Sequence, residues 1–250
     1  MSESEGTRDP RASARGPSQL PKRFYLRAAI EPEAGAFALK LDGRAARTPA
    51  RQALAVPSRV LGEAIAAEWE AQAEIIDPST MPVTRLANAA LDGVAGRLDD
   101  VRASISAYAR TDLLCYRAAE PPSLVLRQAE LWDPIIHSVE SRLGARFVLS
   151  EGVMHVAQPE TTLAALDAEI AGFDEPFRLA GLNLATTLTG SVLIALALAW
   201  GEVDEHAAWM AAHLDEDWNI SQWGEDAEAA ERRISRRADF AAAALALSGE

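Results

Sequence analysis

The chain is predicted to take an α+β fold, with a small β-rich N-terminal domain followed by a larger α-helical C-terminal domain. Three observations carry this expectation. Strand-like runs are concentrated in residues 24–56. After Pro78 the hydrophobic period turns helical and stays so almost to the end. With 250 residues, 49% of them hydrophobic and 24% charged, the chain can bury a substantial core.

Residues Met1 to Pro21 are rich in Ser, Arg, Gly, Pro and Glu and nearly free of apolar side chains, so a mobile tail is expected over 1–21. Phe24–Ile30 and Ala36–Leu41 read as strands, and Asp42-Gly43 is a strong turn dipeptide. A third run, Ala53–Val56, ends at Pro57-Ser58. There Ser58 is placed to cap a helix with Leu61, Ile65 and Trp69 on its apolar face. The β-rich domain is therefore expected over 22–76, as a small sheet with one covering helix.

Helical character is expected over 77–250. Pro82–Leu98 and Val101–Ala109 are predicted helices, while Thr111–Arg117 has no assignable period. Ser123–Leu143 reads as a longer helix closed by Gly144, and Arg146–Leu149 as one further strand. Helices are then predicted over Pro159–Ala171, Pro176–Trp200, Val203–Leu214 and Glu225–Leu247, with Gly201 as a stop. Leu179–Gly201 carries no charged residue and reaches membrane-spanning length. Its Asn183, Thr186, Thr187, Thr189 and Ser191, and the helical spacing of its apolar side chains, favour a buried helix of a soluble bundle. Gly190-Ser191 falls inside that helix and is expected to ease close packing. In the last helix Ala227, Ala230, Ile234, Ala238, Ala241 and Leu245 share one stripe, with Arg232, Arg233, Arg236 and Arg237 elsewhere around it.

Charge excludes some functions. The 37 acids outnumber 24 bases for a net charge of −13, which repels nucleic acid and anionic lipid at long range. The single cysteine, Cys115, cannot form an internal disulfide, which fits a reducing compartment. The first twenty residues lack a secretory apolar region, and Glu3, Glu5 and Asp9 are unlike a mitochondrial leader. The expected location is a bacterial cytoplasm.

A search for chemistry finds little. Neither Lys22 nor Lys40 follows a glycine as a phosphate-binding loop requires, and G-x-G-x-x-G and G-x-S-x-G are both absent. Cys115 has apolar neighbours and no nearby histidine, so it reads as a buried structural thiol. His206 and His213 lie seven residues apart, with Asp217 one turn further. They could be drawn as a metal site, but without the usual zinc-ligand spacing.

The segment Glu202 to Glu231 is different. It holds ten acids and no Lys or Arg, with Trp209, Trp218 and Trp223 threaded among them. Two solvated helix faces around core tryptophans would account for it. A recognition surface would too, since tryptophan is enriched at binding hot spots and carboxylates steer a basic partner.

Several motifs now in view resemble one family, the chaperones that protect the alpha subunit of ATP synthase before it joins the beta subunit. They include Arg23-Phe24-Tyr25, Leu41-Asp42-Gly43-Arg44, Thr48-Pro49, Val56-Pro57-Ser58 and Ile65-Ala66-Ala67-Glu68-Trp69. Met81-Pro82-Val83-Thr84-Arg85-Leu86-Ala87-Asn88, Thr111 to Arg117 and Trp132-Asp133-Pro134 continue the series, and Asp215-Glu216-Asp217-Trp218 and Trp223-Gly224-Glu225-Asp226 complete it. The resemblance spans Pro21 to about Leu247. It implies a two-part fold and a binding protein that is not an enzyme, carries no cofactor or metal, and takes the alpha subunit as partner. It associates function with the acidic region, here Asp215, Glu216 and Asp226; Trp218 and Trp223 join them on the hot-spot argument. A monomer is expected. The alternatives are a metal-dependent enzyme using the acidic segment and a general helical adaptor.

Overall fold

The computed structural model describes residues 20–152 and 154–248. The expected tail lies outside the described residues up to residue 19. The α+β expectation holds: a small sheet leads into a larger helical region.

Strand β2 (Ala36–Leu41) is central to the sheet. It pairs antiparallel with β1 (Ala28–Glu33) along its full length, from Ala28↔Leu41 to Glu33↔Ala36. On its other side it pairs with β3 (Arg44–Ala45) and β4 (Ala55–Val56). Ala34-Gly35 and Asp42-Gly43 close the two hairpins with both residues at positive φ, as tight primed turns require. The predicted strand at Phe24 begins only at Ala28. The Asp42 carboxylate accepts the Leu26 and Arg27 amides at 2.9–3.1 Å, so those groups are not offered to a ladder.

Helix α1 (Arg59–Glu70) starts at Ser58, whose hydroxyl accepts the Leu61 amide. It crosses the sheet at Gly62, where a Cβ would come within 3.1–3.2 Å of Ile30 and Phe37. Glu68 then reaches the start of α2 (Pro82–Ala89) and accepts the Val83 and Thr84 amides at 2.7 and 2.8 Å. Those two donors are otherwise orphans of the first turn, so this carboxylate ties sheet region to helical region. Burial raises its pKa.

The helix predicted over Pro82–Leu98 is interrupted. Residues Ala90–Val94 widen into a π turn before α3 (Leu98–Tyr108). Within that turn Asp92 accepts the Thr48 hydroxyl at 2.6 Å and the Ala50 amide at 2.9 Å, which ties the turn to the loop before β4. The unassigned Thr111–Arg117 segment forms a short 3₁₀ turn over Leu113–Cys115 and then β5 (Tyr116–Arg117). After α4 (Pro122–Leu143) and Gly144, β5 pairs in parallel with β6 (Ser150–Glu151). The strand predicted at Arg146–Leu149 does not form: Glu140 takes the Phe147 amide and Gln158 takes both polar groups of Val148.

Helix α5 (Glu160–Ala171) precedes the uncharged stretch, which is two helices and not one. Helix α6 (Pro176–Thr189) ends at Gly190, in the left-handed region at φ 69°, and α7 (Val192–Ala199) restarts at Ser191. Gly190-Ser191 is thus a break and not a packing notch. Buried Asp112 accepts the Ser191 hydroxyl at 2.7 Å and the Leu193 amide at 3.2 Å, anchoring the new helix end. The close approach expected of a small residue occurs at Gly181, where a Cβ would sit 3.0 Å from the Ala243 carbonyl. Helices α8 (Glu205–Ala212), α9 (Leu214–Trp223) and α10 (Ala227–Leu247) complete the chain. Among the described residues no helix is long and apolar enough to cross a membrane.

Candidate interaction surface

The acidic segment becomes α8, α9 and the turn into α10. The sequence did not predict α9 as a separate helix. Trp209 and His213 explain where it begins: their rings stack at 3.7 Å, and His213 closes α8 with its amide on the Trp209 carbonyl. Burial holds the His213 imidazole below its ordinary pKa. The indole N–H of fully buried Trp132 donates to the Ala211 carbonyl at 2.8 Å and fixes this junction against α4.

Asp215, Glu216 and Asp217 form the first turn of α9, where the helix N-terminus favours negative charge. Each also has a specific partner. Asp215 accepts Gln128 of α4 at 2.9 Å, Glu216 pairs with Arg236 at 3.1 Å, and Asp217 pairs with Arg233 at 2.5 Å. Glu205 pairs with Arg237 at 2.7 Å, and that guanidinium lies over the Trp209 ring. The α10 arginines therefore face the acids of α8 and α9. Asp226 caps α10 by accepting the Ala229 amide at 2.9 Å.

The five candidate residues split into two groups. Asp215 and Trp218 face α4, where Trp218 lines a hollow with Leu131, Met210 and Leu214. Glu216, Trp223 and Asp226 meet at a groove of ≈ 450 Å³ between α9 and α10, lined also by Ile220, Ala230 and Arg233. Trp223 is 87% exposed, so it does not fill the core.

Ile234 was missed as a candidate. The expected apolar stripe of α10 is not its core face: Phe240, Ala243, Ala246 and Leu247 are buried, while Ile234 is 72% exposed. It lines an adjoining hollow with Trp209, Glu225 and Arg237. The signal available was the arginine set, whose pairing with α8 and α9 turns the stripe outward. Exposed Trp223 and Ile234 thus line neighbouring hollows that share Glu225, Ala230 and Arg233, apolar groups within a charged rim suited to a protein partner.

The metal trio is not assembled. His213 is buried in its stack, Asp217 is in an ion pair, and His206 is exposed. No group of three His, Cys, Asp or Glu among the described residues could hold an ion. Cys115 is buried, and its thiol is pushed up to about 12 mainly by that burial. This is an inert thiol, as expected from its neighbours.

Residues 22–140 match the family model described as ATP12 chaperone protein. Among solved structures, Atp12 from Paracoccus denitrificans is 40% identical, with a TM-score of 0.83 over 92% of this chain and 98% of that one. A chaperone candidate from Agrobacterium tumefaciens is 47% identical, with a TM-score of 0.86 over 92% of this chain and 86% of that one. The mitochondrial protein atp12 of Schizosaccharomyces pombe is 21% identical over 228 residues, 85% of this chain and 78% of its own. The chain belongs to the ATP12 chaperone family.

Proposed function

From membership of the ATP12 family, we propose that this chain is a non-catalytic assembly chaperone for ATP synthase that holds the unassembled alpha subunit in a bacterial cytoplasm until beta arrives. The observation that carries the reading is that exposed Trp223 and exposed Ile234 line two hollows that share Glu225, Ala230 and Arg233 at the α9–α10 turn. An unpartnered subunit exposes an interface normally buried, and such patches promote aggregation. A cover must shield that surface yet yield to the native partner, so its own grip has to be the weaker one. A few exposed aromatic and aliphatic anchors within a charged rim fit that requirement. The carboxylates speed encounter and set register, while the anchors supply contact area.

The fixed pairs of Glu216 and Asp217 refine the assignment. Their charge is largely spent on Arg236 and Arg233, so Trp223, Ile234 and exposed Glu225 are the groups left to meet a client. Purification of the tagged protein from its own cells, with mass spectrometry of what is retained, tests the reading. Enrichment of alpha without matching beta is expected. Absence of alpha, or both subunits in equal amounts, overturns it.

A further inference from the structure

The N-terminal sheet carries a second hollow, built from other elements and opposite in charge. It measures ≈ 620 Å³ and is lined by Phe24, Leu41, Arg44, Arg47 and Trp69, among others. Phe24 and Leu26 are 71% and 86% exposed, and the Asp42 carboxylate accepts the Leu26 amide. Within a chain of net charge −13, residues 22–59 hold eight bases against three acids.

Most of that positive charge is unspent. Among the described residues, Arg27, Arg44, Arg47 and Arg51 have no carboxylate within 4.0 Å, whereas Arg23, Lys40 and Arg59 do. The Asp42 carboxylate is committed to two amides. The Trp69 indole N–H is buried and meets no acceptor among the described residues, although the neighbouring Tyr25 hydroxyl is satisfied at the Trp69 carbonyl. The hollow therefore offers guanidinium donors beside an aromatic wall of Phe24, Tyr25 and Trp69.

We propose that this hollow docks an acidic, apolar-containing segment of a partner polypeptide. Its carboxylates pair with Arg44 and Arg47, and an apolar side chain lies against Phe24 and the Trp69 ring. Guanidinium forks suit carboxylates bidentately. Extended nucleic acid is disfavoured by the charge of the whole chain, and a free inorganic anion leaves Phe24 and Leu26 unused. An anionic lipid surface is repelled over its whole extent by the net charge of −13, so a short peptide is the occupant the hollow favours.

The test uses the full chain with ¹⁵N-labelled tryptophan, the Trp69 indole signal being identified with Trp69→Phe. A capped nonapeptide of glutamate and leucine is titrated in, beside the same peptide with lysine for glutamate. Expected is a saturable shift of the Trp69 signal with the acidic peptide alone, while the Trp132 signal stays still. Affinity falls at least tenfold in the Arg44→Glu/Arg47→Glu double variant and by a smaller factor in Arg44→Lys/Arg47→Lys, which keeps the charge without the fork. A still Trp69 signal, equal binding of the lysine peptide, or unchanged affinity in the glutamate variant overturns the proposal. So does full displacement by millimolar inorganic phosphate, which marks a simple anion site, or binding to phosphatidylglycerol vesicles in place of the peptide. No client subunit enters this assay, so its outcome is independent of the co-purification.

Discussion

Helices α7 and α9 are of similar size, 8 and 10 residues, and are built from opposite materials. In α7 the residues Val192 to Ala197 are all fully buried, and even its cap is internal, with Asp112 at zero exposure. In α9 only Leu214 is buried; its first turn is acidic, and its last residue, Trp223, projects into solvent. The core explains every side chain in α7. It explains α9 only in part, through the partners of Asp215, Glu216 and Asp217. What remains unexplained by stability in α9 is what a client can use, and that separation is open to experiment.

The largest effect is expected in α7. Leu196→Ala leaves a cavity in a fully buried site and lowers stability by about 2–5 kcal/mol, read from urea unfolding. A loss near that expected at surface positions would mean that α7 is not the core helix described.

Next comes the buried cap. Burial lifts the Asp112 carboxyl from 3.8 to about 6, against the lowering effect of its hydrogen bonds to Ser191, Leu114 and Leu193. The folded chain thus binds this proton more tightly than the unfolded one. Its contribution is fully present below 3.8 and is lost as pH rises through about 6. Relative to Asp112→Asn, the natural protein should lose up to about 3 kcal/mol between pH 4 and pH 7. Parallel stability–pH curves for the two proteins would contradict this.

A smaller effect separates capping from charge at the α9–α10 turn. Asp226→Ala should cost about 1 kcal/mol, whereas Asp226→Asn keeps the cap acceptor and should cost far less. Any further loss of client binding in the Asn variant then measures the charge alone. Smallest in stability is Trp223→Ala, expected within about 0.5 kcal/mol because the side chain is almost wholly exposed.

Much of this was legible in the sequence because local chemistry decided it. The Asp42-Gly43 turn, the Ser58 cap, the Gly144 stop and the buried Cys115 each follow from neighbouring residues. Several misses share one cause: polar side chains took over backbone groups. Asp42 holds the Leu26 and Arg27 amides, Glu140 and Gln158 removed the strand at Arg146–Leu149, and Asp112 reached the start of α7. Periodicity cannot show such partners. For the same reason the acidic segment looked uniformly free, when Arg233, Arg236 and Arg237 of α10 neutralise three of its acids. Exposed Ile234 was hidden in a stripe that resembled a core face.

The most direct measurement is a titration of purified alpha subunit with the natural protein and with Trp223→Ala, after their melting temperatures have been matched. The α9–α10 surface as client site predicts at least tenfold weaker binding by the variant at unchanged stability. Equal affinity for the two proteins would contradict it.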